Sequence, residues 1–145
     1  MEMESSTEIL LASSPDNLLI TAYYASTGLT FAHFKGSQSP RKGITLVGKS
    51  FIAVAHISYS PSPSASIHLY NWWSSNALHH LPLPEPVSPL VSTPDGMYLI
   101  SGGISGYIHV LSVPSGRLVR SVYAHSKAEY YTTIALNPNR VHGGR

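Results

Sequence analysis

The chain has 145 residues, a length that suits a single domain. Hydrophobic residues make up 43% and charged residues only 11%, which excludes a chain kept disordered by its charge. The formal net charge is +2, with nine dispersed Lys and Arg residues. No basic stripe is therefore available for a nucleic-acid backbone, and direct sequence-specific nucleic-acid binding is not expected.

Cysteine is absent, which excludes disulfides and thiolate metal sites and favours an intracellular setting. The first six residues, MEMESS, are acidic and precede a short apolar run at residues 9–12. They lack the basic start and the long apolar core of a signal peptide. No segment approaches ~20 consecutive apolar residues, so no membrane partner or membrane span is expected.

Short strands joined by turns are the predicted elements, because glycine, proline, tyrosine and β-branched residues recur throughout. Three stretches follow the same order: a turn marked by proline or glycine, an apolar strand, a second turn and an alternating strand. They occupy residues 15–34, 47–72 and 94–119. The sequence thus predicts one type of unit, used three times.

Two segments do not follow this order. Residues 58–66, SYSPSPSAS, form a serine and proline tract that predicts a mobile loop between strands. Residues 127–136 are ambiguous, because Ser126 and Glu129 have the capping-box spacing of a helix whereas the residues at 130–134 favour a strand. We predict a strand there.

The spacing of equivalent residues indicates true repetition. Ile67 and Ile108 are 41 residues apart, and Gly28 and Gly116 are 88 apart, or twice 44. Both values match the roughly 40 to 45 residues of a four-stranded propeller blade. We therefore predict an all-β fold, a partial β-propeller with about three four-stranded blades. Because a closed ring needs about 4 to 8 blades, the ring is not closed.

The predicted units divide a single incomplete domain of residues 1–145. The blade-like units cover residues 8–43, 44–86 and 87–125, and residues 126–145 start a further repeat or form a divergent, truncated tail.

The third unit resembles a WD repeat over nearly its whole length. The matching positions are the turn residues Asp95 and Gly96, the strand serine Ser101, the turn glycine Gly106 and the histidine His125. The resemblance makes these the structural repeat positions. Ser105 stands where such repeats carry an aspartate, and Leu111 and Ser112 stand where they carry Trp-Asp. The resemblance therefore implies that the hydrogen-bond network bracing many such blades is broken here.

Residues 8–125 resemble the N-terminal part of the plant root initiation defective 3-like proteins, in the group of WD repeat-containing protein 18 and its fungal Ipi relative. The segments that carry this resemblance are residues 25–43, 66–75 and 78–86. After residue 125 the match weakens, as it would in a truncated, alternatively spliced or wrongly assigned product.

This resemblance implies a non-catalytic scaffold for protein–protein interaction. It implies membership of a rixosome-type nuclear complex that acts in large ribosomal subunit assembly and rRNA processing. The expected partners are other proteins, the assembly subunits of that complex. The expected location is the nucleus, in the nucleoplasm or nucleolus, with the cytoplasm as a second location.

Trp72 and Trp73 are candidate partner-binding residues. Neighbours on a strand point to opposite faces, so at least one indole is expected to be exposed, and exposed tryptophan is frequently an interaction hot spot. Packing of both between blades is the alternative. Ser39 is a candidate phosphosite, since Pro40 follows it and Arg41 could pair with a phosphate; an ordinary loop is the alternative.

No metal, cofactor or catalytic site is predicted. The chain has eight histidines, but His79 and His80 are neighbours that would point to opposite faces of a strand. Its two aspartates, Asp16 and Asp95, both lie in turn motifs, so a Ser-His-Asp triad is poorly placed.

Two other functions stay open at the level of sequence. One is a phospho- or peptide-binding propeller in another regulatory complex, and the other is a small hydrolase on a β-sandwich. As an incomplete propeller, a chain of three blades would expose unpaired strand edges. We therefore expect the 145-residue chain to be weakly stable or to associate.

Overall fold

A computed structural model describes residues 8–14, 19–35, 42–58, 62 and 64–124. All elements in these residues are strands, which confirms the all-β prediction. In chain order they are β1 Ile9–Ser14, β2 Leu19–Tyr24, β3 Thr30–Lys35, β4 Ile44–Val47, β5 Phe51–Ser58, β6 Ser64–Tyr70, β7 His79–Leu83, β8 Val87–Ser92, β9 Tyr98–Gly103, β10 Tyr107–Ser112 and β11 Leu118–Tyr123.

The strands form three antiparallel sheets, each with its strands in chain order. The first sheet is β1-β2-β3, the second is β4-β5-β6-β7 and the third is β8-β9-β10-β11. No helix in the described part of the chain is long and apolar enough to cross a membrane. Each sheet is thus a simple meander, as short strands separated by turn residues predict.

The second sheet lies between the other two, and both of its faces are buried. One face packs Ile52, Val54 and Tyr70 against the first sheet's Ile20 and Phe34. The opposite face packs against the third sheet. The buried residues of that second cluster include Ala53, Ile67, Leu69, Leu81, Leu90, Leu99 and Leu111. Alternation along β5 and β6 supplies these two faces.

The second and third sheets meet along their first strands, β4 and β8, and just before β4 the Lys42 carbonyl oxygen accepts the Leu90 backbone N–H over 2.9 Å. Three sheets packed face to face in a row, without closure, confirm the predicted partial, open propeller. The first sheet differs from the expected blade, because only three of its strands lie among the described residues.

Strands extend into both ends of the serine and proline tract at residues 58–66, whose residues 59–61 and 63 lie outside the described part of the chain. Strand β5 continues to Ser58 and β6 begins at Ser64, and these two residues are register partners. Ala65 is buried and pairs with Leu83. The ambiguous segment at residues 127–136 lies outside the described residues.

Candidate functional site

The loop between β6 and β7 carries both tryptophans. Trp72 and Trp73 lie in a turn and not on a strand, so the predicted strand placement is wrong. The turn forms because the Asn71 side-chain oxygen accepts a hydrogen bond from the Trp73 backbone N–H over 3.0 Å. An asparagine side chain that caps the backbone two residues ahead favours a turn over a strand. The loop closes where the Leu78 N–H donates to the Leu69 carbonyl.

The two indoles have different surroundings. Trp72 is half-buried, and its ring centroid lies 5.8 Å from that of Phe31 and 6.2 Å from that of Phe34, both edge to face. Trp73 is 85% exposed. The structure therefore agrees with the expectation that at least one of the two indoles is exposed. Trp72 joins the loop to the first sheet, whereas Trp73 points into solvent.

Trp73 shares one end of the molecule with several other turns. In a meander, alternate turns lie at the same end of the sheet. A close backbone contact between Gly48 and Gly96 joins this end of the second and third sheets. We call it the turn end; it comprises residues 25–29, 48–50, 71–78, 93–97 and 113–117. Leu29 and Met97, exposed by 65% and 55%, lie there with Trp73.

A groove of about 550 Å³ opens beside the turn end. Ile9 and Leu10 of β1 form one wall, and Leu46 with Lys49 forms the other. Trp72 also lines it. The groove therefore separates the free edge of the first sheet from the first strand of the second.

A hydrogen-bond network centred on Glu85 braces the third sheet. One Glu85 oxygen accepts the Ser105 backbone N–H over 2.8 Å, and the other accepts the Ser105 hydroxyl over 2.6 Å. His109 Nε2 lies 2.6 Å from that second oxygen, and its Nδ1 lies 2.8 Å from the Ser121 hydroxyl. Because a carboxylate only accepts, Nε2 carries the proton that points to Glu85. The network ties the loop before β8 to β10, β11 and the β9–β10 turn.

The network shifts the acidity of its carboxylate. Burial raises the pKa of Glu85, but the hydrogen bonds from Ser105 and His109 outweigh it, so the pKa lies below its ordinary value. A Cβ added at Gly103 would overlap the Glu85 carboxylate oxygen. Glycine at this position therefore leaves the space that the carboxylate occupies.

The network was not predicted from the sequence. Its carboxylate comes from Glu85 in the proline-rich segment at residues 81–86, which is 24 residues before His109 in the sequence. Residues Ser121, His109 and Glu85 do form a serine–histidine–carboxylate chain of the kind that activates nucleophiles. A signal available in the sequence was the alternation of β10, which places His109 on the buried face.

The WD-like positions of the third unit have distinct structural roles. The Asp95 carboxylate accepts the Thr93 hydroxyl over 2.7 Å and the Met97 N–H over 2.9 Å. Gly96 and Gly106 have φ values of 73° and 95°, which favour glycine. Ser101 is buried, and its hydroxyl has no hydrogen-bond partner among the residues that the structure describes. His125 lies outside the described residues, as does Ser39.

Three histidines stack across the second sheet. His56, His68 and His80 lie on adjacent strands β5, β6 and β7, with ring centroids 4.4 Å and 4.1 Å apart. Burial, and then repulsion from His80 and His56, lowers the pKa of His68 to about 4. Among the described residues, no group of three His, Asp or Glu side chains is arranged to hold a metal ion.

Comparisons with known proteins place this chain among longer relatives. It is 32% identical over 119 residues to Protein ROOT INITIATION DEFECTIVE 3 of Arabidopsis thaliana, covering 82% of this chain and 27% of that protein. It is 26% identical over 102 residues to Pre-rRNA-processing protein IPI3 of Yarrowia lipolytica, covering 70% of this chain and 24% of that protein. No protein-family model matches the chain.

The chain thus spans about a quarter of the length of the curated relatives it matches. The resemblance found in the residue segments is confirmed by both comparisons. Together with the partial, open propeller, they show that the chain is related to ROOT INITIATION DEFECTIVE 3 and IPI3 over part of those proteins' length.

Proposed function

We propose that this chain is a non-catalytic scaffold segment of WD-repeat type, and that its turn end binds a protein partner during assembly of the large ribosomal subunit. The observation that carries the proposal is Trp73, which is 85% exposed in a loop closed by its own hydrogen bonds. Large exposed aromatic side chains on ordered turns are preferred anchors of protein interfaces.

The surroundings of Trp73 support a protein partner. Leu29 and Met97 are exposed at the turn end, as Trp73 is. The faces where the sheets pack against each other are buried. An apolar centre with a polar rim is the usual composition of such an interface. Lys49, Asp95 and Arg117 supply charges of both signs around it, which suits a protein surface better than a phosphate backbone.

The biological setting follows from the relatives. One of them is named for pre-rRNA processing, and this supports a role in ribosome assembly and rRNA processing for this chain. We further propose that its partners are rixosome-type assembly subunits and that it acts in the nucleus. Ser39 is proposed as a phosphosite that regulates binding.

A tagged chain purified from nuclear extract tests the proposal. Trp73→Ala should remove ribosome-assembly proteins from the purified material without lowering the melting temperature. Trp72→Ala is the matched control, since it should lower the melting temperature through lost packing against Phe31 and Phe34. If assembly proteins are retained by Trp73→Ala, or never co-purify with the unchanged chain, the proposal is wrong.

A hydrolase is the second candidate, because Ser121, His109 and Glu85 form a hydrogen-bonded chain. The brace is the better explanation, since Glu85 also holds both polar groups of Ser105 and so fixes a turn. The three-sheet architecture also differs from the β-sandwich expected for such an enzyme. Hydrolysis of generic ester or phosphate substrates that disappears in Ser121→Ala would establish the enzyme and reject the scaffold.

A further inference from the structure

The last strand of each sheet has a free outer edge, and the three edges differ in how they are protected. Strand β7 contains Pro82 and is followed by Pro84, and a proline has no N–H to offer to a further strand. The last residue of β3, Lys35, donates its N–H to the Ser75 carbonyl oxygen over 2.7 Å, so the β6–β7 loop covers that end of the edge. Both features discourage pairing with another chain.

Strand β11 lacks both features. All six of its residues, Leu118–Tyr123, are exposed, and none of them is proline or lysine. No strand among the described residues pairs with its outer edge. Successive sheets of a propeller pack face to face around a central axis, so further sheets would leave this edge open. The edge of β11 is therefore an unprotected pairing surface.

The hydrogen bonds of β11 show which of its backbone groups point outward. The Ala124 N–H donates to the Gly106 carbonyl oxygen over 3.0 Å, and Val122, two residues earlier, faces β10 in the same orientation. In an antiparallel pair the intervening residues turn their backbone groups to the opposite side. Ser121 and Tyr123 therefore direct their N–H and C=O groups away from the sheet.

A bulge limits the length of this edge. Arg120 pairs with Val110 but Leu118 pairs with Leu111, which leaves Val119 as the extra residue. A bulge interrupts the regular ladder at that point. The regular edge is thus confined to residues 120–123, in the half of β11 that lies away from the turn end.

The side chains along residues 120–123 are held in place and partly apolar. The Ser121 hydroxyl lies 2.8 Å from the His109 ring nitrogen and so belongs to the brace of the third sheet. Tyr123 is 57% exposed, and its ring packs edge to face against Tyr107 with centroids 5.2 Å apart. An added strand would therefore meet a fixed backbone and an aromatic pair, which suits β-branched or aromatic side chains.

The charges beside this edge are positive. Arg117 and Arg120 are exposed, and neither forms an ion pair with an acidic side chain among the described residues. Strand β11 itself has no acidic residue. A second copy of this chain, paired through the same edge, would bring arginines together and is disfavoured. An acidic segment would instead be attracted to the edge.

We propose that residues 120–123 of β11 bind an extended, acidic segment of a partner protein, which adds a fifth strand to the third sheet. The backbone of the segment pairs with Ser121 and Tyr123, one of its side chains packs against Tyr123, and a carboxylate faces Arg120. Main-chain hydrogen bonds supply the affinity of such strand addition, and alternate side chains supply its specificity. This contact is separate from the one proposed for Trp73 at the turn end.

A synthetic peptide tests the proposal directly. The probe is a short, blocked peptide of alternating valine and glutamate; one control peptide has lysine in place of glutamate, and another has proline in place of the central valine. Titration of the 145-residue chain, labelled with nitrogen-15, should shift the amide signals of Ser121 and Tyr123 and slow their hydrogen exchange. Neither control peptide should produce these changes.

Matched variants test the backbone and the charge separately. Tyr123→Pro removes an outward N–H, whereas Tyr123→Phe keeps it. Tyr123→Pro should weaken binding of the glutamate peptide by roughly tenfold, and Tyr123→Phe should bind as the unchanged chain does. Arg120→Glu should lose the glutamate peptide and gain the lysine peptide, whereas Arg120→Lys should keep the glutamate peptide. This exchange of charge decides the matter if Tyr123→Pro fails to fold.

The Trp73→Ala variant distinguishes this edge from the turn end, because it should bind the peptide as the unchanged chain does. Absence of peptide binding, or binding that neither Tyr123→Pro nor Arg120→Glu weakens, would overturn the proposal. A stronger response of the same amides to a single-stranded oligouridine RNA would assign the arginines to nucleic acid and would also overturn it. So would a dimer of the unchanged chain that forms through these amides.

Discussion

Gly96 lies where two turns meet so closely that a side chain has no room. A Cβ there would lie 3.0 Å from the backbone of Gly48, and its φ of +73° is strained for other residues. Gly28 has nearly the same φ, +75°, but nothing within 4 Å of an added Cβ. Comparing substitutions at Gly28 and Gly96 therefore distinguishes the effect of backbone strain from the effect of close contact between blades.

We predict that Gly28→Ala destabilises the fold by about 1 kcal/mol through backbone strain alone. Gly96→Ala should cost about 1 to 3 kcal/mol more, because the turns must move apart. Denaturant unfolding of both variants measures the difference. Equal losses would mean that the two turns are not in contact.

Protonation of His68 is predicted to weaken the fold in mild acid. Its pKa of about 4 lies below the ordinary value of 6.5, so the unfolded chain takes up the proton first. Stability should be full above pH 6.5, decline as the pH falls toward 4 and level off below that.

Melting temperatures between pH 7.5 and 4 measure this decline, and His68→Leu should make it shallower. His79→Leu, at an exposed position of the same sheet, should leave the slope unchanged. A slope that is the same in His68→Leu and the unchanged chain would show that His68 is not held neutral by the sheet.

Glu85 is predicted to stabilise the third sheet in its ionised form. Because its folded pKa is lowered, its contribution is present above the ordinary value of 4.5 and is lost as the pH falls through the folded value. Glu85→Gln should therefore lower the melting temperature at pH 7 more than at pH 3. The reason is that Ser105 and His109 lose their charged hydrogen-bond acceptor. An equal effect at both pH values would contradict the brace.

Sequence patterns predicted the role of a residue where that role depends only on its neighbours in the chain. The Pro-Asp-Gly turn at residues 94–96 requires only its own backbone, and it formed as expected. The brace combines two strands with a loop and a turn, and the histidine stack combines three strands. Their chemistry depends on register, and no motif in a single segment carries register information.

At the scale of elements, the β6–β7 loop explains why two adjacent tryptophans differ. A strand would have placed them on opposite faces, whereas the Asn71 side chain turns the backbone and leaves Trp72 inside against the first sheet. The exposure of one indole agrees with the expectation from alternation, but its cause is the turn, which depends on the Asn71 side chain accepting a backbone hydrogen bond.

Trp72→Ala is predicted to destabilise the chain by about 2 to 3 kcal/mol, less than a fully buried tryptophan, because the indole is only half-buried. Trp73→Ala should change stability by less than about 0.5 kcal/mol. Thermal and denaturant unfolding of the two variants check this. A larger loss for Trp73→Ala would place its indole in the packing and not at a binding surface.

At the scale of the whole molecule, the repeat period correctly predicted the layered arrangement. Ile67 and Ile108, 41 residues apart, occupy matching strands β6 and β10 of successive sheets. Only three strands of the first sheet lie among the described residues, a number that the period alone does not give. The period describes similar units but not how they are completed at the ends.

The position of the second sheet between the other two is the claim on which the rest depends. Methyl NOEs in a labelled chain test it most directly. Ile52 and Val54 should show contacts to Ile20, and Leu69 should show contacts to Leu99. Contacts from only one face of the second sheet, or direct contacts between the first and third sheets, would contradict the propeller arrangement.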